Sequence, residues 1–146
     1  MGMIDANLVF AEAQAVTSTG DTASTNSYDS GGTTLGDSGQ TGEHIWVQAL
    51  CSTVAASGGG ATLQPVLQDS ANNSSLADVV AGPVIGVASL TTGAQLWAVQ
   101  PPPGMRRYWR IVWRVAVAAL TSGNFDAFIT ESLQRNVAQA SGYTVS

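Results

Sequence analysis

The clearest pattern in the chain runs from Met105 to Ala118, Met-Arg-Arg-Tyr-Trp-Arg-Ile-Val-Trp-Arg-Val-Ala-Val-Ala. With a period of two, Trp109, Ile111, Trp113, Val115 and Val117 fall on one face. Tyr108, Arg110, Val112 and Arg114 fall on the other. This predicts a central strand with a dry aromatic face and a mixed face. A helix competes, because Arg106, Arg107, Arg110 and Arg114 also share one arc of a helical wheel. The residue types favour the strand. Ile111, Val112, Val115 and Val117 are β-branched, Tyr and Trp suit extended backbone, and Pro101-Pro102-Pro103-Gly104 offers no helix cap.

A second alternation begins at Glu43. Ile45, Val47, Ala49 and Cys51 face one side, and His44, Trp46, Gln48 and Leu50 the other. Ser57-Gly58-Gly59-Gly60 reads as a flexible turn into a strand from Ala61 to Gln68, with Leu63, Pro65 and Leu67 on one side. The two runs predict a hairpin over Glu43–Gln68. Pro65 has no N–H to donate, so it marks an edge strand or a bulge. Ala94–Gln100 and Asn124–Thr130 are further strands, the last carrying Phe125 and Phe128. Leu8–Val16 reads as a weak strand or a short helix, and Ser27–Gly32 as a short strand ending in a turn. Thr17–Asn26, Leu35–Gly39 and Asp69–Ser75 read as polar loops, and Asp78–Val87 as short apolar pieces broken by Gly82-Pro83 and Gly86.

Seven or eight short strands with Gly/Ser/Asn loops predict an all-β fold, an antiparallel β-sandwich whose spacing also fits a jelly roll. Antiparallel order follows from connections too short for parallel crossovers. The expected organisation is a single domain: an N-terminal arm and first strand over 1-26, the sandwich core over 27-130, and a C-terminal arm over 131-146. That arm holds only a sparse pattern of Val137, Tyr143 and Val145.

Charge changes the picture of the arginine strand. The chain has 146 residues, of which 10% are charged against roughly a quarter in an ordinary domain, and a formal net charge of −5. It has no lysine, and four of its five arginines lie between Arg106 and Arg114. One arginine strand in an acidic chain argues against a general nucleic-acid surface. Arg110 and Arg114 are expected to pair with carboxylates across neighbouring strands, such as Asp126 or Glu43. Arg106 and Arg107, at the entry from the proline turn, remain free to touch a partner. No apolar run approaches the roughly 18 residues of a membrane span, and the N-terminus has no secretory pattern.

Signatures of catalysis or of metal binding are not apparent. His44 is the only histidine, and its odd separation from Cys51, the only cysteine, puts the two on opposite faces of a strand. Cys51 is in phase with Val47 and Ala49 and reads as a packed core thiol. The acidic residues are scattered, and Gly58-Gly59-Gly60 lacks the Lys-Ser/Thr of a phosphate loop. No enzymatic activity, cofactor or metal is expected. Trp46 and Trp97, less clearly buried than Trp109 and Trp113, leave open a carbohydrate-binding module that stacks sugars on aromatic rings.

Several segments together resemble one family. They are Met3-Ile4-Asp5-Ala6, Phe10–Val16, Tyr28-Asp29-Ser30-Gly31 and Leu35–Glu43, then Thr62–Ser70, Pro103–Arg110 and Gly123–Ile129. In these the chain resembles the capsid cement (decoration) proteins of short-tailed double-stranded-DNA bacteriophages, of the type found in Bordetella phage. The patterns are of Gly, Asp and apolar spacing. The resemblance implies a jelly roll on the outside of an icosahedral virion, made in the host bacterial cytoplasm. It would act as a homodimer near two-fold positions, clamping adjacent subunits of the major capsid protein. It implies no catalytic residue, no direct contact with nucleic acid and no membrane. Candidate contacts to the capsid or to a second copy are Arg106, Arg107, Trp46, Trp97 and Tyr143. From Leu133 to Ser146 nothing matches the family pattern.

Overall fold

The arginine strand lies in the interior of one of two facing antiparallel sheets. The structure, a computed structural model, describes residues 9–29, 45–102 and 104–130. Within these, ten strands follow in order: β1 (Val9–Ala15), β2 (Gly20–Ala23), β3 (Tyr28–Asp29), β4 (Trp46–Ala56) and β5 (Thr62–Ser70). Then come β6 (Ala77–Ala81), β7 (Ile85–Gly86), β8 (Gln95–Val99), β9 (Tyr108–Ala116) and β10 (Ser122–Thr130). One sheet has the order β1-β10-β4-β8, the other β2-β9-β5-β6, with β3 added on β9 and β7 on β5. The pairs nest: β1 with β10, β2 with β9, β4 with β8, β5 with β6, all antiparallel. A hairpin folded over on itself in this way is the wrapping of a jelly roll.

The predicted alternation of β9 is the one observed. Trp109, Ile111 and Trp113 are fully buried and Val115 nearly so. Trp113 lies 5.3 Å from Phe125 of the facing sheet, ring centre to ring centre, and its Nε1 donates to Gln14 Oε1 at 3.1 Å. Trp109 takes Tyr28 edge-on at 5.3 Å, a favoured aromatic geometry. From β4, Val47, Ala49 and Cys51 point inward, as their phase required; from β5, Leu63 and Leu67 do. Phe125, Ala127 and Ile129 of β10 complete the floor of the core.

Four expectations are corrected. Glu43–Gln68 is not a hairpin: β4 and β5 lie in different sheets, and Ser57–Ala61 carries the chain between them. Both strands bury one face, so each must find partners within its own layer, and a short glycine turn serves a sheet-to-sheet corner as well as a hairpin. Pro65 sits on an interior strand. It is tolerated because Pro65 O accepts from Gly82 N at 2.8 Å, so the prolyl nitrogen faces the break between β6 and β7, where no ladder donor is needed. Thr17–Asn26, read as a loop, contains β2. Val117 leaves the strand's inner face: β9 ends at Ala116, and Val117 is 76% exposed at φ 72 in a tight turn closed by Ala118 N to Ala116 O at 2.9 Å.

Of the open choices, Leu8–Val16 resolves as strand β1, bent by register shifts and by Ala13 at φ 48. Asp126 Oδ1 accepts from Ala13 N there. Gly123, at φ 137, lets β10 cross β4 where a Cβ would meet Ala55 Cβ at 2.8 Å. The segments 1–8, 30–44 and 131–146, with the first eight residues of the predicted N-terminal arm, the predicted C-terminal arm, the Leu35–Gly39 loop and His44, lie outside the described residues.

Truncating Trp113 to Ala removes its ring contact with Phe125 of the facing sheet. Urea unfolding of Trp113→Ala should show a loss of about 3–5 kcal/mol. A loss below about 1 kcal/mol would mean that the core does not close on this ring.

Candidate functional site

The charged side chains of the described residues are concentrated on the outer face and one end of the β2-β9-β5-β6 sheet. Beneath them Val66 and Val112, paired across β5 and β9, are buried on the outward side. Gln64, Gln68, Arg110 and Arg114 flank these valines on the same face. Arg114 Nε donates to Asp21 Oδ1 at 2.8 Å, and Arg114 Nη2 to Asp21 Oδ2 at 3.0 Å and to Asp78 Oδ2 at 3.2 Å. Asp78 Oδ1 accepts from Gln68 Nε2 at 2.6 Å, and Gln68 Oε1 accepts from Arg110 Nε at 2.9 Å. One network therefore runs β2, β9, β5 and β6 in spatial order. Its hydrogen bonds with Arg114 hold the Asp21 carboxyl below the usual carboxylate range, and the same bonds push the Arg114 guanidinium up.

Pairing across strands was expected for Arg110 and Arg114, but the partners are different. Asp126 lies in the other sheet, and Glu43 is outside the described residues. Asp21 was invisible because β2 is only four residues long with no apolar run. Asp78 was hidden because its strand reads as a fragment before Gly82-Pro83.

Arg106 is not the loose cation that its place after the proline turn suggested. Its backbone N donates to Asp69 Oδ2 at 2.9 Å, Nε to Oδ1 at 2.9 Å, and Nη2 to Oδ1 at 2.6 Å and to Asp69 O at 2.8 Å. Asp69 is 6% exposed. Arg106 O in turn accepts from Trp109 Nε1 at 2.7 Å. The residue ties the end of β5 to the entry of β9 and orients the buried indole. Arg107 pairs with a more exposed carboxylate: Nε and Nη2 reach Asp29 Oδ1 and Oδ2 at 2.6 and 2.9 Å, and the guanidinium lies 5.0 Å from the Tyr108 ring centre. The hydrogen bonds to Asp29 push its guanidinium up.

Trp46, at the start of β4, is half-buried. Trp97 is half-buried against the core, and its ring lies over Gly82, where a Cβ would meet it at 2.9 Å. That leaves one edge of this indole spent on packing between the sheets. Tyr143 lies outside the described residues. The structure thus brings Arg106 and Arg107 together at one end and places Trp97 apart from them on β8. Cys51 is fully buried, burial pushes its thiol up, and Sγ donates to Thr53 O at 3.1 Å. Among the described residues no three His, Cys, Asp or Glu side chains gather as they would around a metal ion. No helix there is long and apolar enough to cross a membrane.

Three variants test these contacts. Asp69→Ala should lower stability by about 1–3 kcal/mol in urea unfolding, because it strips Arg106 of its acceptors. Arg107→Ala should leave the unfolding midpoint in place. Asp21→Asn should cost under about 1 kcal/mol at neutral pH, since the pair is half exposed. Asp21 binds its proton less tightly folded than unfolded, so its contribution is present above the ordinary carboxylate range and lost as pH falls through and below it. The gap between wild type and Asp21→Asn should therefore close in acid, as followed by unfolding midpoints at stepped pH.

A protein-family model described as Bbp16 matches residues 10–129, from β1 almost to the end of β10. No curated protein sequence matches the chain. The matched span takes in both sheets, the arginine network and the Arg106 staple, and the chain belongs to the Bbp16 family, which bears the name of a Bordetella phage protein.

Proposed function

We propose that this protein is a cement protein: a non-enzymatic component of a phage virion that binds the outer surface of the icosahedral shell and clamps adjacent subunits of the major capsid protein. The observation that carries this reading is the Bbp16 match across the whole described sandwich. Three features of the chain support it. Of the arginines that would otherwise suggest a phosphate-binding patch, Arg106, Arg107 and Arg114 are turned toward carboxylates of the same chain and Arg110 toward the Gln68 amide. The net charge of −5 disfavours adhesion to packaged DNA. The nested strand pairing joins distant parts of the chain, so a pull on one end is resisted by ladders across both sheets.

A clamp of this kind needs no chemistry beyond binding. A protein that bridges two shell subunits binds the intact shell and not the separated subunits, so its binding free energy adds to the stability of the assembled state. A homodimer at a two-fold position doubles the points of attachment, and the second contact forms at the high effective concentration set by the first. The partners are the major capsid protein and a second copy of this chain, without direct contact to nucleic acid or membrane. Arg107 and Trp46, both partly exposed, are candidate contact residues on the described surface.

Purified protein should co-sediment with shells stripped of it, saturate at a fixed ratio to shell subunits, and raise the temperature at which filled shells release DNA. Protein that stays in the supernatant at saturating concentration, or that binds without raising that temperature, would remove the cement reading. A saturable change in tryptophan fluorescence on adding glycans, with no shell binding, would favour a carbohydrate-binding module instead.

A further inference from the structure

The two sheets hold their edge strands by different means. In the β1-β10-β4-β8 sheet each edge strand sends a side chain into the core, Phe10 and Ala11 from β1 and Leu96 from β8. In the β2-β9-β5-β6 sheet neither edge does. No residue of β2 or of β6 is buried, although Val79 lies partly against the core. Both strands are fixed at or just beyond their C-terminal ends: Gln14 Nε2 donates to Ala23 O at 2.8 Å, Ser24 N to Ile111 O at 2.7 Å, and Gly82 N to Pro65 O at 2.8 Å. Along the strands themselves, charge supplements the backbone ladder.

Arg114 supplies that charge to both edges. It lies opposite Asp21 in the ladder of β2 with β9. Its Nη2 donates to Asp21 Oδ2 at 3.0 Å and to Asp78 Oδ2 of β6 at 3.2 Å. Two carboxylates from opposite edges of the sheet thus meet at one nitrogen. Without the cation between them they would repel. Side-chain exposures of 33% for Arg114, 47% for Asp21 and 45% for Asp78 leave the group open to dissolved ions. An isolated surface pair is worth little, but a two-pronged guanidinium–carboxylate pair shared with a further carboxylate is a geometry in which such contacts count.

We propose that Arg114 is an ionic latch on both edges of this sheet: it holds β2 and β6 closed while its charge is unscreened, and ionic strength loosens the two edges while the core stays intact. Both strands lean on the same guanidinium and neither has a buried anchor, so they open before the edges of the facing sheet. Opening of β2 bares a row of backbone groups on β9, and opening of β6 a row on β5. Such rows are where other strands add to a sheet. The latch is a property of the sandwich itself and stands or falls apart from shell binding.

The test is amide hydrogen exchange in about 0.1 M and about 1 M sodium chloride, between which the screening length falls from about 10 Å to about 3 Å. In the wild-type chain the amides of β2 and β6 should exchange about 2- to 10-fold faster at the higher salt, the effect of losing one or two surface ion pairs. Those of β8, an edge strand without a charged residue, should keep their rate. In Arg114→Gln both strands should exchange fast at the lower salt, and added salt should slow them by screening Asp21 from Asp78. Asp21→Asn should speed β2 exchange in the wild-type background and slow it in Arg114→Gln, where it removes the repulsion. Salt-independent exchange of β2 and β6 in the wild-type chain, an equal response of β8, or an Asp21→Asn effect of one sign in both backgrounds would each overturn the proposal. The wild-type salt comparison decides the matter even if Arg114→Gln fails to fold.

Discussion

Everything in this fold depends on β9 having two faces with different work to do. Its inner face places Trp109, Ile111, Trp113 and Val115 in the centre of the sandwich, where the sheets close on them. Its outer face carries Arg110 and Arg114, whose side chains span to β5, β2 and β6. The burial of two indoles and their neighbours is worth several kcal/mol and sets which layer each strand must join. The outer network adds far less free energy, because its charges are half exposed. What it adds is register: Asp21, Arg114 and Asp78 meet only when β2, β9, β5 and β6 are aligned as observed. Arg110 and Arg114 also flank the buried Val66–Val112 pair on the same face of the sheet.

The same economy explains why so few charges suffice. In a chain where only 10% of residues are charged, a cation left unpaired on the surface would be a strong feature. The described arginines instead bind carboxylates or amides of their own chain, and Arg106 reaches down to a nearly buried aspartate to fix the Trp109 indole. From Val79 to Met105 the chain carries no charged residue at all. An uncharged stretch of this kind offers shape and apolar area more than long-range attraction. That is compatible with the structural role proposed above.

Period-two alternation depends only on neighbouring residues and on burial, so it was readable wherever a strand buries one face. The inward sets of β9 and β4, the buried state of Cys51 and the all-β class follow from it directly. The pairing of arginines across strands was legible in kind, since cations on a half-buried face need acceptors. Which acceptors they find was not. Asp21 and Asp78 lie far from Arg114 in the chain and become neighbours only through the nested topology.

What the sequence alone determined, then, is which side of each strong strand is dry and that the strands lie antiparallel. What the tertiary structure decided is which strands are neighbours. The Ser57–Ala61 turn has the same local chemistry whether it closes a hairpin or carries the chain from one sheet to the other. Local propensity cannot choose, because the choice is made by burying both apolar faces at once. Pro65 shows the same limit: its missing N–H forbids a ladder bond, but only the break between β6 and β7 reveals that none was needed. β2, four residues with no apolar run, exists because β9 offers it an edge and Arg114 offers Asp21 a partner. Neither condition can be read from Gly20–Ala23 by itself.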